Sequence, residues 1–200
     1  CMGFIKLARA SNAMAGLDVI KNMTLPGINL VVADTEANVG YSYAGLLPIR
    51  DMAQHPFLPL DGAKSSSKWH EFLGAPSKPS LLNPSVGYIV NANQNTYFKD
   101  AEPKKLFGKV GAAPYRALRI NESISSLIAQ KDGVKFSELS KLQLDDVSIE
   151  ARELAKPLGL ICLEKFANAD KNKKEFAQSI VKFDGKYTTD SLEALPYEYL

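Results

Sequence analysis

Residues 28–45 read INLVVADTEANVGYSYAG and predict an antiparallel β-hairpin. The first half, up to Asp34, is rich in β-branched side chains, and the second half, residues 39–45, alternates large and small ones. Leu25-Pro26-Gly27 is a strong chain breaker ahead of the pair, and the four residues between the strands are typical of a hairpin connection. Pro48 ends the second strand, because proline has no backbone N–H to donate.

Helical patterns lie on both sides of this hairpin. Apolar residues at helical spacing predict short helices within residues 4–10 and 16–23, and the same spacing dominates the chain after residue 111. Pro157 is expected to kink or interrupt one of these later helices. We predict the α+β class, with a strand-bearing part at residues 1–110 and a helical part at residues 111–200. The predicted later helices are residues 117–128, 147–166 and 171–183, and residues 137–142 are a candidate helix start.

A long irregular loop is predicted at residues 50–84, which are rich in proline, serine and glycine and have little periodicity. Trp69, the only tryptophan, is expected to pack as an aromatic anchor of this loop, with a substrate-pocket wall as the alternative. After the loop, Asn83 to Asn95 is predicted to form an extended strand that brings three carboxamides, from Asn91, Asn93 and Asn95, to one face. Carboxamides are uncharged hydrogen-bond donors, suited to holding a polarised carbonyl. The structural alternative is an asparagine-rich strand end that bonds its own turns.

Composition excludes several classes of function. The 200 residues are 46% hydrophobic, with 24 basic and 22 acidic side chains and a net charge of +2. No dense basic block interleaved with aromatics is present, so nucleic acid is not an expected partner. The apolar run from Ile28 to Ala33, with Asn29 inside it, is far too short for a membrane span. The chain contains no glycine-rich phosphate loop and no nucleophile elbow of the GxSxG type.

Cysteine and histidine are too few to indicate a metal or redox motif. Cys1 and Cys162 match no metal or redox spacing, and the two histidines, His55 and His70, form no paired metal-ligand spacing. A zinc site is therefore not expected, and we predict no cofactor for this chain.

A series of short motifs in a fixed order resembles the β-chain of the penicillin acylase family of N-terminal nucleophile hydrolases. The resemblance covers nearly the whole chain. Its pieces are Ala33-Asp34, Asn38-Val39-Gly40-Tyr41, Gly45, Pro48-Ile49-Arg50, Pro59-Leu60-Asp61-Gly62, Trp69, Asn83-Pro84, residues 87–93 (GYIVNAN), Tyr115-Arg116-Ala117, Arg119-Ile120, Gln143, Asp145-Asp146, Ser148, Phe183-Asp184-Gly185 and Asp190-Ser191.

The resemblance implies part of an αββα sandwich and a specific chemistry. In this family the precursor cuts itself, and the new N-terminal Ser, Cys or Thr uses its own α-amino group as general base. The resemblance places the asparagine that holds the tetrahedral oxyanion at Asn93, while Asn91 and Asn95 keep structural roles. It also places an arginine at Arg116, where it orients the asparagine or a nearby polar network.

The resemblance also sets expectations for substrate and partners. It implies an amidohydrolase that cleaves a linear amide in a small acylated substrate, either a penicillin or cephalosporin side chain or an acyl-homoserine lactone. The expected partners are the remainder of the β-chain and an α-chain from the same precursor, in a periplasmic or secreted bacterial enzyme. The nucleophile is expected upstream of residue 1, so that this fragment alone is predicted to be inactive. Some members of the family bind calcium, for which Asp100 and Glu102 are candidate ligands, with a solvated loop as the alternative.

Two other hypotheses belong to different functional classes. Cys1 could act as the nucleophile of a small thiol amidase, but an N-terminal nucleophile should open a β-strand, whereas the residues after Cys1 have helical spacing. The other alternative is a non-catalytic binding module that uses the same fold without its chemistry.

Overall fold

The computed structural model describes residues 2–50, 58–94, 114–130 and 133–200. The chain divides into two compact units, Cys1–Ala112 and Ala113–Leu200. Within the described residues, one three-stranded antiparallel sheet lies in the first unit, and α-helices occur in both. The α+β class predicted from the sequence is confirmed.

The first unit combines two helices with the sheet. The predicted hairpin is present: its strands pair antiparallel from Ile28↔Ala44 to Ala33↔Val39, and a short third strand pairs with the second. Two single 3₁₀ turns, Ser65–Ser67 and Ala75–Ser77, interrupt the otherwise irregular chain after residue 58. The elements are α1 (Met2–Ala8), α2 (Ala13–Asn22), β1 (Ile28–Ala33), β2 (Val39–Ala44) and β3 (Ser80–Leu82), with strand order β1-β2-β3.

Helix α2 packs on one face of this sheet. Leu17 and Ile20 of the helix are buried against Ala44 and the inward side chains of β1. Gly40 makes the close approach of helix and sheet possible, since a Cβ at that position would lie 2.7 Å from Cδ1 of Leu17. The buried Lys78 donates from Nζ to the carbonyl oxygen of Met23, 3.0 Å away, and so ties the irregular segment to the end of α2. The apolar alternation of β1 therefore specifies which face of the sheet the helix covers.

Asp34 joins the hairpin turn to the start of α2. One carboxylate oxygen accepts the backbone N–H groups of Glu36 and Asn38 at 3.0 and 2.9 Å. The other accepts the N–H of Ala13, the first residue of α2, at 3.0 Å, and the side-chain amide of Asn38 at 2.9 Å. These donors, with the Ala13 N–H contributing most, lower the pKa of Asp34 to about 2.

Low pH should therefore weaken the first unit through Asp34. Because its folded pKa of about 2 lies below its unfolded value of about 3.9, the stabilisation is complete above about pH 4 and is lost as pH falls through about 2. Asp34→Asn removes the titrating group. We expect the difference in free energy of unfolding between wild type and Asp34→Asn, measured by urea titration, to shrink between pH 4 and pH 2. A difference that stays constant over this window would contradict the linkage.

The second unit is helical. Its core consists of Ala151, Ala155, Ile180 and Phe183, and the Phe183 ring meets that of Tyr187 edge-on, with centroids 5.1 Å apart. Side chains cap the N-termini of two of the helices. Ser148 Oγ accepts the N–H of Ala151, and the side chain of Asp170 accepts the N–H of Lys173 at the start of the next helix. The helices are α3 (Tyr115–Ile128), α4 (Phe136–Leu142), α5 (Ile149–Lys165), α6 (Lys171–Lys182) and α7 (Ala194–Glu198).

Two predictions about local structure were wrong, and a third was wrong in part. Helix α5 continues as one element across Pro157, so the expected interruption is absent, whereas the alternative effect of this proline, a kink, stays a prediction. The Trp69 ring does not pack as a buried anchor, since it is 60% exposed, with the guanidinium carbon of Arg50 5.6 Å from the ring centre. The stretch from Asn83 to Asn95 was predicted to form one extended strand, and this prediction was also wrong. Strand β3 ends at Leu82, and residues 83–94 form turns and irregular structure.

Strand β3 does not continue into Asn83, because this residue leaves the extended conformation. Its φ is 49°, and its side chain accepts the N–H of Val39 at 2.9 Å while donating to the side-chain oxygen of Asn38 at 2.8 Å. Asparagine tolerates the left-handed region because its short side chain forms such bonds, and Pro84 then cannot donate to a neighbouring strand. The asparagine-proline pair therefore closes the sheet and starts a loop.

Candidate active site

The candidate oxyanion donor, Asn93, lies in this loop and not on a strand. Its backbone is left-handed, with φ of 61°, and its side chain is exposed to solvent. Left-handed backbone is rare for residues other than glycine, and asparagine is among those that adopt it most readily. Asn93 is therefore an exposed residue of this loop with an uncommon backbone conformation.

The carboxamide of Gln94 is bonded to the backbone just before Asn93. Its Oε1 accepts the N–H of Ala92 at 2.6 Å, and its Nε2 donates to the carbonyl oxygen of Val90 at 2.8 Å. Ala92 itself is buried, at 8% exposure. The loop is thus closed by a side chain that the sequence patterns did not single out.

Asn91 and Asn93 do not share one exposed face, contrary to the strand-based prediction. The side-chain oxygen of Asn91 is buried, and among the described residues no group donates a hydrogen bond to it, whereas Asn93 is exposed. The left-handed backbone of Asn93 breaks the two-residue alternation on which the prediction depended. Asn95 lies outside the described residues.

Arg116, the second candidate, is in the first turn of α3 in the second unit. It lines a cleft of about 530 Å³, together with Tyr115, Gln143, Asp146 and Ser148. These residues come from motif pieces that are about thirty positions apart in the sequence, and the structure brings them to one place. The cleft is bounded by α3, the segment between α4 and α5, and the ring of Tyr187.

An ion-pair network holds α3 beside this cleft. Arg119 binds Asp145 with two parallel hydrogen bonds, Nε to Oδ1 at 2.8 Å and Nη2 to Oδ2 at 2.6 Å. Glu122 also contacts Arg119, at 3.3 Å, and accepts from Arg152 at 3.1 Å, which links α3 to α5. The Asp145 bonds raise the pKa of Arg119, and the Arg119 bonds lower the pKa of Asp145.

Asp145 also accepts the N–H of Val147 at 3.2 Å, so one carboxylate connects α3 to the start of α5. Two parallel bonds of this kind define the orientation of both partners. Arg119 and Asp145 both belong to motif pieces, but the sequence alone did not show that they pair across 26 positions.

Asn93 and Arg116 belong to different compact units. The predicted role of Arg116, to orient the asparagine or a nearby polar network, therefore stays a prediction. Cys1, Asp100 and Glu102 lie outside the described residues. Within the parts of the chain that the structure describes, no group of three or more His, Cys, Asp or Glu side chains is placed to hold a metal ion. In those same parts, no helix is long and apolar enough to cross a membrane.

Comparisons with known proteins cover almost the whole chain. Residues 1–200 match the family model of penicillin amidase. The chain is 25% identical over 192 residues to the penicillin acylase 2 proenzyme of Pseudomonas sp. (strain SE83), covering 96% of this chain and 23% of that protein. It superposes on a thermostable penicillin G acylase from Alcaligenes faecalis with a TM-score of 0.63 and 26% identity, covering 94% of this chain and 33% of the other.

The α+β arrangement and the match to penicillin G acylase define the class as the N-terminal nucleophile hydrolase fold. The chain belongs to the penicillin amidase family, a family of amide hydrolases. It spans about a quarter of the length of the proenzyme and a third of the penicillin G acylase chain.

Proposed function

We propose that the protein containing this chain hydrolyses a linear amide in a small acylated substrate, through an N-terminal nucleophile outside these 200 residues. The candidate substrates are penicillin or cephalosporin side chains and acyl-homoserine lactones. The observation that carries the proposal is the exposed residue Asn93 on a loop closed by Gln94, in a chain whose whole length matches an amidase family.

The proposed reaction begins at the α-amino group of the nucleophile. An α-amine has a pKa of about 8, so near neutral pH it can take the proton of its own hydroxyl or thiol as this group attacks the substrate carbonyl. The carbonyl oxygen then becomes an oxyanion. The Asn93 amide donates a hydrogen bond to that oxyanion and stays neutral throughout, so it stabilises the charge without exchanging a proton. Collapse of the intermediate breaks the C–N bond, the α-ammonium group gives its proton to the departing amine, and the acyl group stays on the nucleophile as an ester or thioester. Water, deprotonated by the α-amine, then attacks this acyl-enzyme, and the carboxylic acid and the free nucleophile are released.

Two features support the nucleophile's location outside the 200 residues. Helix α1 begins at Met2, so the residue next to Cys1 is helical, whereas an N-terminal nucleophile should open a strand. The relative that this chain resembles over 192 residues is a proenzyme, which fits an enzyme assembled from chains of one precursor. Accordingly, the partners of this chain are the remainder of the β-chain and an α-chain, and the isolated chain is inactive.

The proposal is tested by assaying the complete, processed protein against a panel of acylated amides. We expect release of a free amine and a carboxylic acid from a penicillin, a cephalosporin or an acyl-homoserine lactone, and no release by the 200-residue chain alone. The same assay distinguishes the thiol amidase, since that hypothesis predicts activity of the chain alone that is lost on replacing Cys1 by alanine. A complete protein with a verified mature N-terminus and no amidase activity would favour the binding module.

The proposed role of Arg116 has its own test in the same assay. Arg116→Ala should lower kcat/KM by about tenfold or more, and Arg116→Lys should restore only part of it, because lysine lacks the planar pair of donors. Arg9→Ala is the control: it removes an exposed arginine of the first unit, which belongs neither to the cleft nor to the ion-pair network beside it. Full activity of Arg116→Ala would reject the role of Arg116 and leave the reaction class standing.

A further inference from the structure

Both polar groups of one carboxamide close the loop before Asn93. Gln94 has one acceptor and one donor group on its carboxamide, and each has a backbone partner: Ala92 N–H at 2.6 Å and Val90 C=O at 2.8 Å. The Gln94 side chain is therefore bonded to the backbone at both ends of the segment of residues 90–92. Asn93 is the single residue between this clamped segment and Gln94. A loop closed in this way has few alternative shapes.

The conformation that this clamp holds is an uncommon one. Asn93 has φ of 61°, and such a backbone persists only when its surroundings specify it. Ala92, which precedes Asn93, is buried. The side chain of Gln94, which follows Asn93, is hydrogen-bonded to the carbonyl oxygen of Val90. Asn93 itself is exposed, so its own burial does not provide the restraint.

A donor to an oxyanion acts only if it is already in place. Its nitrogen must lie about 2.7–3.1 Å from the position that the oxyanion occupies, and a misplacement of about 0.5 Å loses much of the effect. We propose that Gln94 is a positioning residue, whose carboxamide holds the loop of residues 90–93 in the shape that presents the Asn93 amide to the reacting carbonyl. The inference rests on the proposed function, because it requires Asn93 to be the donor.

The test compares Gln94→Leu, Gln94→Glu and Asn93→Ala in the complete, processed protein. Leucine is similar in size and forms neither bond, so kcat should fall about tenfold with KM changed less than about twofold, the pattern of an interaction made in the transition state. Glutamate keeps an acceptor for the Ala92 N–H and loses the donor to Val90. The kcat of Gln94→Glu should therefore lie between the values of Gln94→Leu and wild type. Gln178→Leu, at an exposed position of α6, is the matched control and should leave kcat unchanged.

Two further measurements separate positioning from a general structural effect. Hydrogen exchange of the peptide containing residues 90–94 should be faster in Gln94→Leu than in wild type, with exchange elsewhere unchanged. In an Asn93→Ala background, Gln94→Leu should lower kcat by less than about twofold, because its effect passes through the side chain already removed.

The outcomes distinguish this proposal from the function on which it rests. A further tenfold loss from Gln94→Leu in the Asn93→Ala background would overturn the positioning role, as would unchanged kcat and exchange in the single variant. If Asn93→Ala turns over nearly normally, the roles of Asn93 and Gln94 both fail, while amide hydrolysis by the complete protein stands. If Asn93→Ala is impaired and Gln94→Leu is not, only the role of Gln94 fails.

Discussion

Replacing Asn93 by alanine in the complete, processed protein should lower kcat by about 10²-fold to 10³-fold and leave KM within a few-fold of wild type. The substrate carbonyl carries little charge before attack, whereas the tetrahedral intermediate carries a full negative charge on its oxygen. A neutral amide placed at that oxygen therefore contributes mainly in the transition state, by about 2.7–4 kcal/mol for one donor. Steady-state amidase kinetics on the best substrate of the panel measure both constants.

A short series of variants makes this prediction specific. Asn93→Asp keeps the size of the side chain but places a negative charge where the oxyanion forms, so its loss of kcat should at least equal that of alanine. Asn91→Ala is the matched control, two residues away, and should reduce kcat far less, because the side-chain oxygen of Asn91 is buried and accepts no bond from any described residue. Near-normal turnover of Asn93→Ala would remove Asn93 from the reaction.

Gly185→Ala should destabilise the second unit by about 3 kcal/mol. The residue has φ of 82°, and its missing Cβ would lie 2.7 Å from the backbone nitrogen of Arg152 and 2.8 Å from the carbonyl oxygen of Ser148. Those atoms belong to the first turn of α5 and cannot move without disrupting it. The strained φ contributes about 1–2 kcal/mol and the overpacking about 1–3 kcal/mol. The Gly185 carbonyl also accepts the N–H of Ser148 at 2.8 Å, and that bond should weaken as the two segments are forced apart.

Gly133→Ala is the control for the contribution of backbone strain alone. Gly133 also has a left-handed backbone, with φ of 72°, but no described atom lies within 4 Å of the position of its missing Cβ. The free energy of unfolding of Gly133→Ala should therefore be lower than that of wild type by about 1–2 kcal/mol. Urea unfolding of both variants, followed by a probe in the second unit, measures the difference. Equal losses would show that the close contact between Gly185 and α5 does not limit stability.

Local patterns were sufficient for most of the secondary structure. The hairpin was predicted from β-branched residues at Ile28 to Asp34 and from the breakers on either side, and its strands pair as expected. The helices of the second half followed from apolar spacing, and α3, α5 and α6 lie within a few residues of their predicted positions. These features are predictable because they depend on residues that are near one another in the sequence, whose helix and strand preferences can be read without the tertiary structure.

The candidate site was predicted less completely. The order of the motifs led to Asn93 and Arg116, but the alternation that was thought to place the asparagines was wrong, because Asn83 and Asn93 both adopt left-handed backbone. Whether an asparagine does so depends on the partners its side chain finds. For Asn83 one of them, Val39, is 44 positions away. No local pattern contains that information.

By itself, then, the sequence determined the hairpin, the helices, the α+β class and, through its ordered motifs, the two residues proposed for the site. Only the tertiary structure decided that Asn93 lies on a clamped loop, that Gln94 closes this loop, and that Arg119 pairs with Asp145 beside Arg116. The physical reason is the range of the interactions. Propensity and spacing act over a few residues, whereas these hydrogen bonds and ion pairs require a particular backbone geometry or segments brought together by folding.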